Sequence, residues 1–200
     1  MPPTETNTES PRRRINGLPL LIPLASIAVA VGVSRIWVEP FRVFKPFLEA
    51  PAPFMTGLVA AVYATRSLAT RNRLAILLTA LAAAFTLREI HWDWTHKGIY
   101  VMLAGIGLWA AVWHKSLREP LRDRRHTSWL TATFFAYFFS QLIARRAFRF
   151  IPGEQEIHVP LEEWAEVTAH LMFLVTSLIG SWRRRHGPQA DQAEKAENNE

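Results

Sequence analysis

The chain has 200 residues and a formal net charge of +6, and hydrophobic residues make up 50% of it. It contains no cysteine, which excludes disulfide frameworks, thiolate zinc sites, iron–sulfur clusters and cysteine nucleophiles. Its basic residues occur in short runs beside apolar stretches and match no nucleic-acid-binding motif, so we expect no nucleic-acid partner.

Apolar stretches alternate with charged segments along most of the chain. Residues 1–16 and 187–200 are polar and aperiodic, which predicts two disordered cytoplasmic tails. Between them we predict one transmembrane helical domain over residues 17–186. Its predicted spans cover residues 17–33, 52–65, 74–87, 99–113, 128–144 and 167–182.

Two of these stretches leave alternatives open. The first follows three arginines and resembles a secretory signal peptide, but an uncleaved helix is favoured because basic residues and five more apolar stretches follow it. The second is short and is preceded by Pro51 and Pro53, so a bundle of four or five spans is the alternative.

The basic residues favour one orientation of this bundle. With the N-terminus inside, fourteen Lys and Arg residues fall in inner segments and eight in outer segments. Positive charge is enriched on the cytoplasmic side of membrane proteins, and most of the tryptophans fall at predicted span ends. The fold class predicted is therefore all-α, a polytopic transmembrane helix bundle of about six spans, with both termini cytoplasmic and membrane lipids as partners.

Acidic and imidazole groups concentrate in the segment that joins the third and fourth stretches. If the helix continues past Leu87, then Glu89, Asp93 and His96 lie at positions i, i+4 and i+7 and share one face. Ordinary interfacial loop composition explains the same segment without any function.

A second concentration enters the sixth stretch. Glu163, Glu166 and His170 lie at i, i+3 and i+7, again on one helix face. The structural alternative is that Pro160 begins the helix and that acids in its first turn complement the helix dipole. His170 is the most informative residue, because it falls one turn inside an apolar stretch.

Under the predicted topology both concentrations meet on the periplasmic side. Carboxylates with imidazoles suit zinc or iron, and a bound metal can activate water. We therefore predict Glu89 and Glu166 as catalytic candidates. Haem held by His96 and His170 is a less favoured alternative. The candidate metal ligands are Asp93, His96, Glu163 and His170.

The pattern Arg88-Glu89-x-His91-x-Asp93, followed later by Leu161-Glu162-Glu163-x-x-Glu166, resembles small, uncharacterised bacterial multi-pass membrane proteins. This resemblance implies a bacterial inner membrane and no particular activity.

The function expected from the sequence is that of an inner-membrane protein with a structural or accessory role, with a membrane-protein partner or a second copy. Whether the chain is an enzyme stays open. The alternatives are a metal-dependent membrane hydrolase acting on a lipid or lipid-linked substrate, and a small proton-coupled transporter using the same polar groups.

Overall fold

The computed structural model describes residues 17–36, 47, 49–90, 95–150 and 154–180. Within this range every regular element is helical. Two short 3₁₀ turns, Leu18–Leu20 and Pro120–Arg122, accompany the α-helices. The α-helices are α1 Leu21–Ile36, α2 Ala52–Thr70, α3 Arg73–Glu89, α4 Thr95–Val112, α5 His114–Leu117, α6 Arg124–Ala144 and α7 Glu154–Leu178.

Two helical hairpins form the centre of the bundle. Helix α2 packs along α3, α6 packs along α7, and the two pairs meet mainly through α2 and α7. Helix α1 lies against α7, and α4 lies against α3. The α2–α3 turn is tight because Arg71 adopts a left-handed backbone with φ 51° and the Asn72 side chain accepts a bond from the Leu74 amide at 2.9 Å.

Apolar periodicity explains why these helices pack as they do. The buried residues of α2 recur every three or four positions, so they form one stripe that faces the core. This stripe consists of Ala52, Thr56, Val59, Tyr63 and Arg66. An arginine therefore ends a stripe that is otherwise apolar or weakly polar.

Aromatic rings fill the centre between the hairpins. Phe85 stacks on Tyr137 with ring centroids 4.6 Å apart, and Phe173 meets Tyr137 edge-on at 6.2 Å. Tyr63 lies 5.7 Å from Phe173, so α2, α3, α6 and α7 all contribute to one cluster. Such contacts add about 0.5–1.5 kcal/mol each beyond the apolar area they bury.

The membrane prediction is wrong. In the residues that the structure describes, no helix is both long and apolar enough to cross a membrane. Crossing needs about 20 apolar residues. Helices α1 and α3 have only 16 and 17 residues, and the longer α6 and α7 begin with charged turns. Two predictions are therefore wrong: the transmembrane bundle of about six spans and the multi-pass inner-membrane localisation.

Candidate functional site

A buried polar network joins three helices at one end of the bundle. Arg88 and Glu89 end α3, Tyr137 lies on α6, and Glu166 and His170 lie one turn apart on α7. Arg88 Nη2 donates to Glu166 Oε1 at 2.6 Å, and Tyr137 Oη lies 2.7 Å from His170 Nδ1. His170 Nε2 lies 3.7 Å from Glu89 Oε1. The network therefore connects side chains that are far apart in sequence.

The imidazole of His170 is held between a phenol and a carboxylate. His170 is 0% exposed. Burial, and then the charges of Glu89 and Glu166, raise the pKa of Tyr137 well above its ordinary value, so the phenol keeps its proton. We infer that Tyr137 donates to Nδ1, which leaves the ring proton on Nε2, facing Glu89.

The Arg88–Glu166 pair neutralises one of the two carboxylates. Burial alone would lower the pKa of Arg88, but the charge of Glu166 and the hydrogen bond to it outweigh that effect, and the pKa of Arg88 is raised. Arg88 therefore stays charged. Arg88 is paired with Glu166 on another helix, and not only with its sequence neighbour Glu89. The pair therefore links α3 to α7.

Replacing Glu166 by glutamine should lower the free energy of unfolding by about 1–2 kcal/mol, because a partly buried guanidinium loses its counter-charge. The figure is modest because the Arg88 side chain is still 33% exposed. Urea denaturation at pH 7 measures it. The double variant Arg88→Met/Glu166→Met should recover most of the loss, and a double variant less stable than Glu166→Gln would contradict this explanation.

The structure brings together only some of the side chains predicted for the site. Glu89, Glu166 and His170 lie in the network, whereas Asp93 and the side chain of His96 lie outside the described residues. Glu163 is half-buried one turn before Glu166 on α7. Across the described residues no group of three or more His, Asp or Glu side chains could hold a metal. The metal-binding prediction is therefore corrected for the described residues, since the one imidazole beside Glu89 is already bonded to a phenol, and the assignment of Asp93 and His96 as ligands stays a prediction.

The dipole explanation for the acids of α7 is also wrong. Helix α7 begins at Glu154, and Pro160 lies inside it rather than at its first position. Glu162 and Glu163 therefore lie beyond the first turn, where the dipole effect has faded. The dipole therefore does not account for these two acids, and the charge of Glu162 instead helps to raise the pKa of Arg88.

A separate cavity of about 300 Å³ lies at the opposite end of α3. Its walls come from the end of α2, the α2–α3 turn, the segment around Pro120 and the start of α6. Charged and polar side chains dominate the lining. They include Tyr63, Arg66, Arg71, Arg73, Glu119, Asp123 and His126. We call this the basic cavity.

The guanidinium of Arg66 is the deepest charge in the basic cavity. Arg66 is only 6% exposed, and its Nη1 donates to the carbonyl oxygen of Ile179 at 2.7 Å, just beyond the end of α7. Burial lowers the pKa of Arg66, while Tyr63 and Asp123 oppose that shift. A cation in this position strengthens the local field, because little water is present to screen it.

The neighbouring imidazole of His126 responds to its own burial and to this charge. Burial, and then the charge of Arg66, lower the pKa of His126 to about 4, with Asp123 opposing the shift. Burial also raises the pKa of Tyr63, whose hydroxyl lies 3.5 Å from His126 Nε2. At neutral pH the lining therefore contains a neutral imidazole and a neutral phenol beside charged arginines.

The N-terminal ends of two helices also border the basic cavity. Asn72 caps α3, and Asp123 caps α6 by accepting from the amides of Arg125 and His126. The N-terminal end of a helix carries partial positive charge. Arg73 lies over the ring of Trp113, 4.9 Å from its centroid, which fixes its position at the rim.

Sequence reasoning missed the basic cavity. Arg66, Arg71 and Arg73 are among the fourteen basic residues that the predicted orientation places in inner segments, because the apolar stretch before them stops near residue 65. The usable signal was the spacing of Thr56, Val59 and Tyr63, which continues to Arg66 and places that arginine on the buried face. No sequence signal indicated that residues 115–126 lie beside the basic cavity, because that position depends on how separate helices pack.

Comparison of the chain with protein-family models, with curated proteins and with solved structures finds no match. The resemblance to small bacterial membrane proteins therefore stays a prediction, and the function has to be argued from the bundle's own geometry.

Proposed function

We propose that this protein binds a small anionic ligand, with a phosphate group as the recognised part, in the basic cavity. The observation that carries the proposal is the convergence of three arginines, one of them almost fully buried, on one cavity. Arginine suits phosphate because its planar fork can donate two parallel hydrogen bonds.

The charge balance of the lining supports an anion. Arg66, Arg71 and Arg73 face the carboxylates of Glu119 and Asp123, which leaves one positive charge in excess while His126 is neutral. Asp123 is also engaged in capping α6. An anion entering the cavity would complete this balance and add contacts to the positive ends of α3 and α6.

The size and apolar part of the cavity limit what the ligand can be. A volume of about 300 Å³ is at the lower end of small-molecule sites. Leu74, Ala75 and Leu78 form an apolar wall beside the arginines. The ligand class that fits is a small phosphate monoester with a short organic part, rather than a polymer.

A structural function for the polar network is the second candidate. It is favoured by the burial of His170 and by bonds that join α3, α6 and α7. A fully enclosed imidazole has no room for a substrate beside it. In this proposal the network fixes the relative positions of three helices and performs no chemistry.

Phosphate binding can be measured by calorimetry on the full chain at low ionic strength, with inorganic phosphate and then glycerol phosphate as probes. We expect saturable binding by the wild type and an affinity about tenfold lower for Arg71→Gln, because one charge-assisted contact is lost. The intrinsic tryptophan fluorescence should also respond, since Arg73 covers the ring of Trp113.

Arg118→Gln is the matched control, because Arg118 is exposed and does not line the cavity. Its affinity should stay within a factor of two of wild type (about 0.4 kcal/mol). If both variants lost affinity equally, net charge alone would explain the effect. If neither probe bound saturably, the proposal would be refuted.

A further inference from the structure

A second, larger cavity lies between the start of α1 and the first two turns of α6. It has a volume of about 790 Å³. One wall is apolar and comes from the 3₁₀ turn and α1, with Leu18, Leu21 and Ile22. The other wall carries Arg124 and Arg125. We call this the amphipathic cleft, because its two walls differ so strongly in polarity.

The apolar wall of the cleft is exposed. Leu18 is 67% exposed and Leu21 is 57% exposed, although both line the cleft. Large apolar side chains that are gathered along one concave surface mark a binding site more often than scattered ones do. Trp129 of α6 lies across the cleft and adds an aromatic surface to it.

A buried hydroxyl at the same place lacks a partner. Ser128 lines the cleft, is 2% exposed, and its Oγ has no hydrogen-bond partner among the described residues. Other buried hydroxyls on these helices bond to a carbonyl in the preceding turn, as Thr133 does to Trp129 and Thr176 to Met172. Ser128 is an exception to this pattern, and buried polar groups without partners are rare.

We propose that the amphipathic cleft binds an unbranched fatty carboxylate. The alkyl chain packs against Leu18, Leu21 and Ile22, and the carboxylate lies between the Arg124–Arg125 pair and the Ser128 hydroxyl, which donates to it. Arginine charge selects an anionic head, while the long apolar wall selects an alkyl tail. A neutral lipid would offer no counter-charge to the two arginines.

This site is independent of the basic cavity. Asp123 and His126 line the basic cavity, whereas Arg124, Arg125 and Ser128 line the amphipathic cleft. The first turns of α6 therefore separate the two sites. Inorganic phosphate should not compete with the fatty carboxylate, so either proposal can fail without the other.

The test is a titration of the full-length protein with dodecanoate below its micelle concentration, followed by calorimetry and by intrinsic tryptophan fluorescence, to which Trp129 contributes. We expect one site, at least tenfold weaker binding of dodecanol, and about fivefold weaker binding of dodecanoate to Ser128→Ala. Arg125→Gln should weaken dodecanoate about tenfold, while Arg118→Gln should leave it unchanged.

Ser128→Ala is a small change in a helix, and its circular dichroism spectrum should match that of the wild type. Equal affinity for dodecanoate and dodecanol would overturn the proposal, as would an unchanged affinity in Ser128→Ala. Absence of dodecanoate binding, as expected if residues 1–16 fill the cleft, would also overturn it. So would binding that weakens as protein concentration rises, because a second copy would then be the occupant.

Discussion

Replacing His170 by alanine should lower the free energy of unfolding by about 2–4 kcal/mol. Three losses add up at this position. The imidazole leaves a cavity in a site that is 0% exposed, the Tyr137 hydroxyl loses its partner at 2.7 Å, and Glu89 loses the ring nitrogen at 3.7 Å. Urea denaturation at pH 7, followed by circular dichroism, measures the loss.

Two further variants separate these losses. Tyr137→Phe keeps the ring that stacks on Phe85 and removes only the hydroxyl, so it should cost about 1–2 kcal/mol. His158→Ala is the matched control on the same helix, because His158 is only half-buried and its Nδ1 lies near the Gln155 carbonyl. It should change stability by less than about 0.5 kcal/mol.

A double-mutant cycle between Tyr137→Phe and His170→Ala then gives their coupling. Residues in direct contact usually couple by about 0.5–3 kcal/mol. A coupling near zero would show that the 2.7 Å contact contributes nothing to stability. A His170→Ala variant as stable as the His158→Ala control would contradict the structural function proposed for the polar network.

Helical spacing predicted part of this network from sequence. The i, i+4 relation places Glu166 and His170 on one face of any helix that contains them, and the structure places both toward the end of α3. The prediction had no means of finding Tyr137, because the phenol belongs to α6 and reaches His170 only through packing of α6 on α7.

Local signals were less reliable for the start of α7. A proline before an acidic run is typical of a first helical turn, yet α7 extends six residues before Pro160. Proline inside a helix removes one amide donor and crowds the carbonyl four residues earlier, and a helix that is packed on both α1 and α6 can tolerate that cost. Tertiary packing therefore overrode the local pattern.

Alternation of apolar and charged segments misled the membrane prediction. Apolar stretches of 14–17 residues occur both in short spans and in core helices. Here the apolar faces of α2, α3, α6 and α7 meet one another around Tyr63 and Phe173, in one aromatic centre. The length of such a stretch does not by itself distinguish a membrane span from a core helix. The spacing that places Arg66 on the buried face of α2 was the stronger evidence for a core helix.

The stability of the fold should depend on pH through His126. The pKa of His126 in the folded protein is about 4, while an unfolded chain would give about 6.5. Between these values the unfolded state binds a proton that the folded state excludes, so acidification favours unfolding. The contribution of His126 is fully present above pH 6.5 and is lost as pH falls toward 4. The expected loss is about 2–4 kcal/mol.

Unfolding curves at half-unit steps from pH 7.5 to 4 measure this loss, but other groups titrate over the same range. The comparison with His126→Gln isolates it, because glutamine keeps a polar side chain near the Tyr63 hydroxyl and cannot titrate. The variant should be less stable at pH 7, and its profile between pH 6.5 and 4 should be flatter by about 2–4 kcal/mol.

His114→Gln is the matched control for this profile. His114 is exposed, with its Nδ1 near the Ala111 carbonyl, and does not line the basic cavity. The difference between the His126→Gln and His114→Gln profiles then belongs to the buried imidazole. If His126→Gln were as steep as the wild type, the imidazole would not be excluding a proton, and neither its burial nor the charge of Arg66 would be lowering its pKa.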